Sequence, residues 1–214
     1  MRIGILGSGG VGRTLASGFA LLGHEVMLGA RTPDNVNAAE WQVETSGLIG
    51  SFAETAEFGE VVFNALKGDV ALGALVYLKS ALVDKVLVDL ANPLDFSNGF
   101  PPSFTVSNTD SLGEQIQREL PDTYVVKALN TLNTPVAVAP GSLVEATDLF
   151  ICGNSASAKE TVVALLVELG WTPERIRDLG DITSARGTEA YLAIWVRLMP
   201  LLGTAKFNVR LVTE

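Results

Sequence analysis

Short apolar runs and segments of helical periodicity follow one another from the start of the chain. Arg2–Leu6 is an apolar run that leads into glycines, which predicts a buried parallel strand. Apolar residues then recur at helical spacing from Val11 to Leu22, and Gly23 stands where a helix C-cap belongs. His24–Leu28 predicts a second strand. The opening segment is therefore predicted to be one right-handed βαβ unit.

The same alternation continues further along the chain. Strands are predicted at Val61–Ala65, Lys85–Leu90, Tyr124–Ala128 and Asp148–Cys152, and helices at Ala71–Leu82, Leu112–Leu120 and Ala156–Leu169. Such alternation predicts an α/β fold with a Rossmann-type, doubly wound and mainly parallel sheet. The irregular stretch Asn92–Asn108 begins where a strand should end, and loops in that position form the ligand crevice.

The pattern changes after Gly180. One apolar helix is predicted from Ile182 to Leu198, with one face formed by Tyr191, Leu192, Trp195 and Leu198. We expect this helix to cover the sheet; the alternative is that it lines a substrate pocket or a dimer seam. The predicted division is a Rossmann domain at 1–180 and a small C-terminal helical extension at 181–214 that packs on it and is too short to fold alone.

Composition narrows the class of protein. Of 214 residues, 48% are apolar and 7% aromatic, and the net charge of −9 argues against a nucleic-acid partner. No apolar run reaches the roughly 20 residues of a membrane-spanning helix, so we expect a cytoplasmic protein without a membrane partner. Cys152 is the single cysteine, which excludes an intrachain disulfide and a zinc site of several thiolates, and no metal site is predicted. Because the overall charge repels anions, local donors must hold any anionic ligand.

The first βα turn carries a glycine fingerprint at G-x-G-x-x-G spacing. Gly7 permits a tight turn, Gly9 allows close approach of a pyrophosphate, and Gly12 allows close packing of helix and strand. The phosphates then lie at a helix N-terminus, whose N–H groups and dipole favour negative charge. The predicted pyrophosphate-binding residues are Gly7, Ser8, Gly9, Gly10, Val11 and Gly12.

The end of the second predicted strand distinguishes NADP from NAD. NAD-binding proteins usually carry a carboxylate there, whereas this strand ends Gly29-Ala30-Arg31-Thr32. The Arg31 guanidinium can make a forked contact with an adenosine 2′-phosphate, and Thr32 can add a hydroxyl donor. The alternatives are that Arg31 is a solvated surface residue, or that Asp34 turns inward and favours NAD.

Two further strand ends bring polar groups to the predicted crevice. We expect the amides, hydroxyls and ammonium groups of residues 64–67 and 127–131 to face the nicotinamide, although each could instead cap a helix or a turn. The predicted cofactor contacts there are Asn64, Ala65, Leu66, Lys67, Ala128 and Asn130.

Several common catalytic arrangements are absent from the sequence. The single histidine, His24, lies in a turn on the side away from the crevice, so it cannot serve as a general base. Tyr-x-x-x-Lys, H-E-x-x-H and G-x-S-x-G do not occur. The predicted reaction is a hydride transfer that needs no strong protein acid or base, and no catalytic residue is assigned.

Over nearly its whole length the chain resembles the NADPH-dependent oxidoreductases typified by the coenzyme F420:NADP reductases. The motifs are Met1–Gly7 with the glycine turn, Gly23–Val26 leading to Gly29–Arg31, Val125–Thr131, Ile151–Asn154, and Leu179–Gly180 before Ser184–Arg186. The resemblance implies a commonly homodimeric protein that passes hydride between nicotinamide and a deazaflavin, directly from ring to ring. It also implies that NADP lies near Gly9, Gly10, Val11, Arg31, Thr32, Asn64 and Ala128, with the deazaflavin against the loops after Leu66 and Leu129.

The sequence departs from the F420 reductases in one stretch. Their apolar segment with Pro, Trp and His is replaced here by residues 64–69, Asn-Ala-Leu-Lys-Gly-Asp. The N-terminal unit also resembles the cytoplasmic domain of membrane ferric reductases. The leading hypothesis is thus an NADP(H)-dependent oxidoreductase with a small redox acceptor, F420 being the named one. The alternatives are a reductase of a flavin, quinone or imine, and a non-catalytic NADP(H)-binding redox sensor.

The Arg31→Glu substitution tests the assignment of NADP. The substitution removes the forked guanidinium contact and adds a carboxylate that repels the 2′-phosphate. It should therefore weaken NADP binding much more than NAD binding, as measured by titration of each cofactor. A comparable loss for both cofactors would mean that Arg31 is structural.

Overall fold

Ten strands are present in the computed structural model, which describes residues 1–32 and 34–214. They are β1 (Arg2–Leu6), β2 (Glu25–Ala30), β3 (Leu48–Ser51), β4 (Val61–Asn64), β5 (Val86–Asp89), β6 (Leu94–Asp95), β7 (Ser103–Phe104), β8 (Tyr124–Ala128), β9 (Leu149–Gly153) and β10 (Ile176–Asp178). Eight of them form the main sheet, and β6 pairs with β7 in a separate hairpin. The predicted α/β class is confirmed.

The main sheet has the order β10-β9-β8-β5-β4-β1-β2-β3. All neighbours are parallel except β8 and β9, which run antiparallel. The strand order reverses between β1 and β4, because the chain first builds outward through β2 and β3 and then crosses back to β4. Ligands of open α/β sheets bind at such a reversal, outside the carboxyl ends of the strands.

Helices cover both faces of the sheet. They are α1 (Gly10–Leu21), α2 (Val36–Thr45), α3 (Phe52–Phe58), α4 (Gly68–Tyr77), α5 (Leu112–Glu119), α6 (Thr134–Val138), α7 (Ala156–Glu168), α8 (Ala185–Ala190) and α9 (Leu192–Leu202). One buried cluster contains Ile5 and Phe63, and a second contains Leu6 and Val62. Successive residues of a strand thus pack into the cores on opposite faces of the sheet, as expected for a sheet that is buried on both faces.

The segment between β2 and β4 contains elements that the apolar pattern does not predict. Helix α2 is half polar and buries only Ala38 and Trp41, while α3 begins at a Ser51–Glu54 capping box. Strand β3 is a short edge strand with a glycine in it, and β10 at the opposite edge has three residues. Elements at the edge of a sheet bury few side chains, so their sequences show only weak hydrophobic periodicity.

The C-terminal segment differs from the single helix predicted at 182–198. A short 3₁₀ turn (Ile182–Ser184) precedes α8, and α9 continues to Leu202 before Gly203 ends it in the left-handed conformation (φ 65°). The prediction of one helix is therefore wrong, and its predicted end at Leu198 lies before the observed end of α9 at Leu202. Beyond α9, the tail returns to the sheet, where the Leu211 N–H donates to Asp148 at 2.7 Å. Within the described ranges, none of the helices combines the length and the apolar composition that crossing a bilayer requires.

The turn between β1 and α1 is built on the close approach of two glycines. Gly7 has φ 119°, a conformation that L side chains rarely adopt, and its N–H donates to Gly29 O at 3.0 Å. A Cβ atom on Gly12 would lie 1.7 Å from Gly7 O, so only glycine lets α1 start this close to β1. A Cβ on Gly10 would meet no heavy atom within 4 Å.

The Gly12→Ala and Gly10→Ala pair tests this packing. We expect Gly12→Ala to lower the free energy of unfolding by about 3 kcal/mol or more, because the backbone carbonyl of Gly7 cannot move aside without opening the turn. Gly10→Ala, which adds the same methyl group to the first residue of the same helix, should leave that free energy unchanged or raise it by up to about 1 kcal/mol. Urea denaturation of the two variants measures the difference. Equal destabilisation would contradict the packing argument.

Candidate functional site

Polar side chains form a row across the carboxyl ends of the central strands. In the strand register, Asn64 of β4 lies opposite Asp89 of β5, Asp89 lies opposite Lys127 of β8, and Lys127 lies opposite Cys152 of β9. All four residues are buried. The row lies directly beneath the loops that follow β4, β5 and β8, and it therefore fixes the floor of the crevice.

The Lys127 ammonium joins three elements at the centre of this row. It lies 2.7 Å from a carboxylate oxygen of Asp89 and 2.7 Å from one of Glu189 in α8, and it also donates to Ala91 O. Burial alone would lower the pKa of Lys127, but the two carboxylates outweigh burial and hold that pKa above its ordinary value. Lys127 is therefore charged at neutral pH.

Both carboxylates are themselves held by further donors. Glu189 accepts hydrogen bonds from the backbone N–H groups of Leu112 and Gly113, at 2.9 and 3.0 Å, and so caps α5. Asp89 accepts from the Asn64 side chain at 2.7 Å and from the Ala91 N–H at 3.1 Å. The network consequently links the C-terminal segment to the loops of the crevice.

Two contacts hold the loop after β4 in position. The side-chain oxygen of Asn64 accepts the Leu66 N–H at 3.3 Å. A Cβ on Gly68 would lie 1.9 Å from Asn92 O, so the loops after β4 and β5 touch backbone to backbone. This contact requires glycine as the first residue of α4.

The glycine turn leaves an open space at the N-terminus of α1. Added Cβ atoms on Gly9 and on Gly10 would both find nothing within 4 Å. Among the residues that the structure describes, no side chain caps this helix, whereas Asn35, Ser51, Ser111 and Ser155 cap α2, α3, α5 and α7. The first N–H groups of α1 are thus available to an anionic ligand.

The predicted NADP-specific residues lie beyond the end of β2. Arg31 and Thr32 are both exposed, and in the described part of the chain Arg31 makes no ion pair. Asp34 is also exposed. Pro33 lies outside the described residues. Arg31 can therefore meet an anion at this end of the crevice.

A cleft of about 510 Å³ lies at the other end of the crevice. Its walls are Val11 of α1, the loop after β4 (65–69), the loop after β5 (90–92), and the hairpin residues 94–97 with Thr105. The predicted residues Val11, Ala65, Leu66 and Lys67 are thus brought together around one space. A second, larger groove of about 600 Å³ runs along the outer face of α1 beside Trp41 and Val138, and it reaches the glycine turn only at Gly10.

Other predicted contacts are buried beneath the crevice. Asn64 and Ala128 have no exposed surface, and Asn130 is 3% exposed. The Asn130 amide donates to the Asn92 side chain at 2.9 Å, and the Asn92 amide donates to Asn130 O at 2.8 Å. Within the described residues, the buried oxygens Asn130 Oδ1 and Thr131 Oγ1 have no hydrogen-bond partner.

One expectation about this region is wrong. The ammonium of Lys127 does not face the crevice, because two carboxylates hold it in the interior. Sequence reasoning also missed Asp89 and Glu189. Two otherwise apolar strands each contain one charged residue: Asp89 in Val-Leu-Val-Asp and Lys127 in Tyr-Val-Val-Lys. The opposite charges of these two residues could have predicted that they form an ion pair.

The single histidine lies away from the crevice, and the single cysteine is buried in the row beneath it. His24 Nε2 is 2.8 Å from Glu168, at the amino end of β2, as its predicted structural role requires. Burial raises the pKa of the Cys152 thiol to about 12, so it is not a thiolate nucleophile at neutral pH.

Comparisons with known proteins agree with this geometry. Residues 2–93 match the family described as NADP oxidoreductase, coenzyme F420-dependent. A crystal structure from Arthrobacter sp. FB24, named as a candidate F420-dependent NADP reductase, is 44% identical, covers 100% of both chains and has a TM-score of 0.94. An imine reductase from Streptomyces aurantiacus, 18% identical with a TM-score of 0.67 over 95% of this chain and 64% of that one, shares the fold.

A curated relative is longer than this chain. Metalloreductase STEAP3 of Rattus norvegicus is 31% identical over 205 residues, which are 93% of this chain and 37% of the relative. The chain thus spans little more than a third of the length of that relative.

The Lys127→Met substitution tests the buried network. It leaves two buried carboxylates without their cation, so we expect the free energy of unfolding to fall by about 3 to 5 kcal/mol. Lys79→Met removes the same charge from an exposed position and should change that free energy by less than about 0.5 kcal/mol. Denaturant unfolding compares the two, and equal effects would contradict the role given to Lys127.

Proposed function

Because the chain belongs to the family of coenzyme F420-dependent NADP oxidoreductases, we propose that it binds NADP(H) along the carboxyl edge of its sheet and exchanges a hydride with a flat redox ring. The deazaflavin of F420 and the ring of a flavin are the acceptors considered. The observation that carries the proposal is the uncapped start of α1, which opens onto empty space beside the cleft of about 510 Å³.

The phosphate-binding part of the site fits a pyrophosphate. Gly9 and Gly10 leave room for it, and the N–H groups and dipole at the start of α1 attract its charge. Ser8 is half-buried in the same turn and Gly7 fixes the turn's shape. The overall charge of −9 repels anions, so this local set of donors supplies the attraction.

The adenosine end of the site supports NADP rather than NAD. Arg31 supplies a guanidinium that makes no ion pair with any residue in 1–32 or 34–214, and Thr32 supplies a hydroxyl beside it. A forked guanidinium–phosphate contact is a charge-assisted bond of about 1.5 to 3 kcal/mol, which corresponds to a preference of about 10-fold to 100-fold.

The cleft end of the site supports hydride transfer. Bound NADPH supplies the hydride. Val11, Ala65 and Leu66 give the cleft an apolar wall, and the backbone contact between the loops after β4 and β5 holds that wall in position. Hydride exchange between two rings needs positioning more than proton transfer, which agrees with a cleft whose walls contain neither histidine nor cysteine.

Binding and turnover of the purified protein test the proposal. Calorimetric titration should show NADP binding about 10-fold to 100-fold more tightly than NAD. The NADPH complex should then bleach the absorbance of F420 or of riboflavin at the rate at which NADPH is oxidised. Equal affinity for both nucleotides would contradict the assignment of NADP. Tight binding of NADP and NADPH without oxidation by either ring would instead support the redox sensor.

A further inference from the structure

Arg13 is a positively charged residue at the end of the first turn of α1. It directly follows the glycine fingerprint, and its N–H donates to Gly9 O at 3.0 Å. The dipole of a helix makes a cation near the N-terminus unfavourable. The first turn of α1 contains no acidic residue that would offset this effect. Arg13 therefore weakens α1 unless a negatively charged group lies beside it.

The carboxylate that lies beside Arg13 holds it only loosely. Glu40 of α2 is 3.4 Å from one nitrogen of the guanidinium, and the two side chains are 37% and 59% exposed. By contrast, Arg118 makes a forked pair with Asp110 at 2.7 and 2.9 Å. A guanidinium has five N–H donors, and within 1–32 and 34–214 only one of those of Arg13 has a hydrogen-bond partner. Because an exposed pair of this kind contributes little free energy, Arg13 can exchange Glu40 for a stronger anion.

The side chain of Arg13 lies beside the open start of α1. Side chains on a helix point back toward its N-terminus and cover the preceding turn, which for Arg13 begins at Gly10. Gly10 and Arg13 line the same groove, whereas Val11 lines the cleft on the opposite face of the helix. An added Cβ on Gly10 would meet nothing within 4 Å, so no protein atom fills the space beyond it.

The position of α2 shows which side of α1 Arg13 occupies. Glu40 belongs to α2, and the neighbouring Trp41 indole donates to Ser17 Oγ of α1 at 3.1 Å, so α2 packs beside α1. Arg31 lies in the connection that runs from β2 to α2. The two guanidinium groups thus approach the crevice from the same side, Arg31 from the end of β2 and Arg13 from the start of α1.

We propose that Arg13 is a second guanidinium for the adenosine 2′-phosphate of NADP(H), and that Glu40 competes with this phosphate for it. In the free protein Arg13 pairs with Glu40. When the dinucleotide binds, the guanidinium turns to the phosphate, which has more negative charge and more acceptor oxygens than one carboxylate. Arg13 is thereby a specificity-determining residue for NADP over NAD. This inference rests on the proposed function, because it concerns the adenosine end of the same site.

NADP⁺ and NAD⁺ differ by this phosphate alone, so the ratio of their dissociation constants isolates its contribution. In calorimetric titrations at low ionic strength, Arg13→Gln should lower the preference for NADP⁺ about 10-fold and leave the affinity for NAD⁺ unchanged. Arg13→Lys keeps the charge without the fork and should retain part of the preference. Arg2→Gln is the matched control: it removes the same charge from an exposed ion pair with Glu60 at the amino end of β1, and it should leave the preference unchanged.

The Glu40→Gln substitution separates a ligand contact from a structural role. Removal of the competing carboxylate should raise the preference for NADP⁺ several-fold, and this gain should shrink as added salt screens the charges. If Arg13 only ties α1 to α2, the Arg13→Gln and Glu40→Gln substitutions should change the preference in the same direction or not at all, which would overturn the inference.

Two further outcomes are informative. Equal weakening of NADP⁺ and NAD⁺ by Arg13→Gln would place the guanidinium at the pyrophosphate and would also overturn the inference. A ratio near one in the unmodified protein would contradict the assignment of NADP on which the inference rests. The proposed function and the role of Arg13 can therefore be seen to fail separately.

Discussion

The buried ammonium of Lys127 is the interaction on which the arrangement of the crevice depends. It lies between Asp89 on the neighbouring strand and Glu189 on α8, and Glu189 in turn caps α5. One fully buried cation thereby fixes the relative positions of two strands, two helices and the loop at Ala91. A buried charge is costly unless it is paired and hydrogen-bonded, and here every partner is itself anchored. The loops of the crevice consequently rest on a buried ion-pair network, which suits the proposed hydride transfer.

The distribution of charge divides the crevice into two halves. At α1 the backbone N–H groups and, further out, Arg31 present positive potential, although the protein as a whole is strongly acidic. At the hairpin, the carboxylates of Asp69 and Asp95 outnumber Lys67. NADP(H) carries its pyrophosphate in the middle and its 2′-phosphate on the adenosine, away from the nicotinamide, so this polarity matches the proposed orientation of NADP(H). Leu66 and Phe96 line the cleft in which the proposed hydride transfer takes place.

Most of the fold could be predicted from sequence because its central strands are largely buried. The runs at β1, β4, β5 and β8 are mainly apolar, and the glycine turn has a fixed geometrical meaning. Helix α2 and the edge strands β3 and β10 escaped prediction because they bury few side chains. The antiparallel pairing of β9 also has no local signature.

The candidate site was less accessible to sequence reasoning. Residues that follow a strand directly, such as Leu66 and Lys67, are found at the cleft because parallel strands end at one edge. The role of Glu189 depends on how a helix from the far end of the chain packs against α5, which no local pattern encodes. The orientation of Lys127, inward rather than toward the crevice, follows from that tertiary contact.

The central claim is that NADP(H) lies along the carboxyl edge of the sheet, from Arg31 past the glycine turn to the cleft. Backbone amide NMR during titration with NADP⁺ tests it most directly, since every non-proline residue reports its own surroundings. The account predicts shifts at residues 9–12, 31–32 and 65–67, with few changes along the outer face of α1. Shifts confined to the larger groove beside Ser17, Trp41 and Val138, with the glycine turn unaffected, would contradict it.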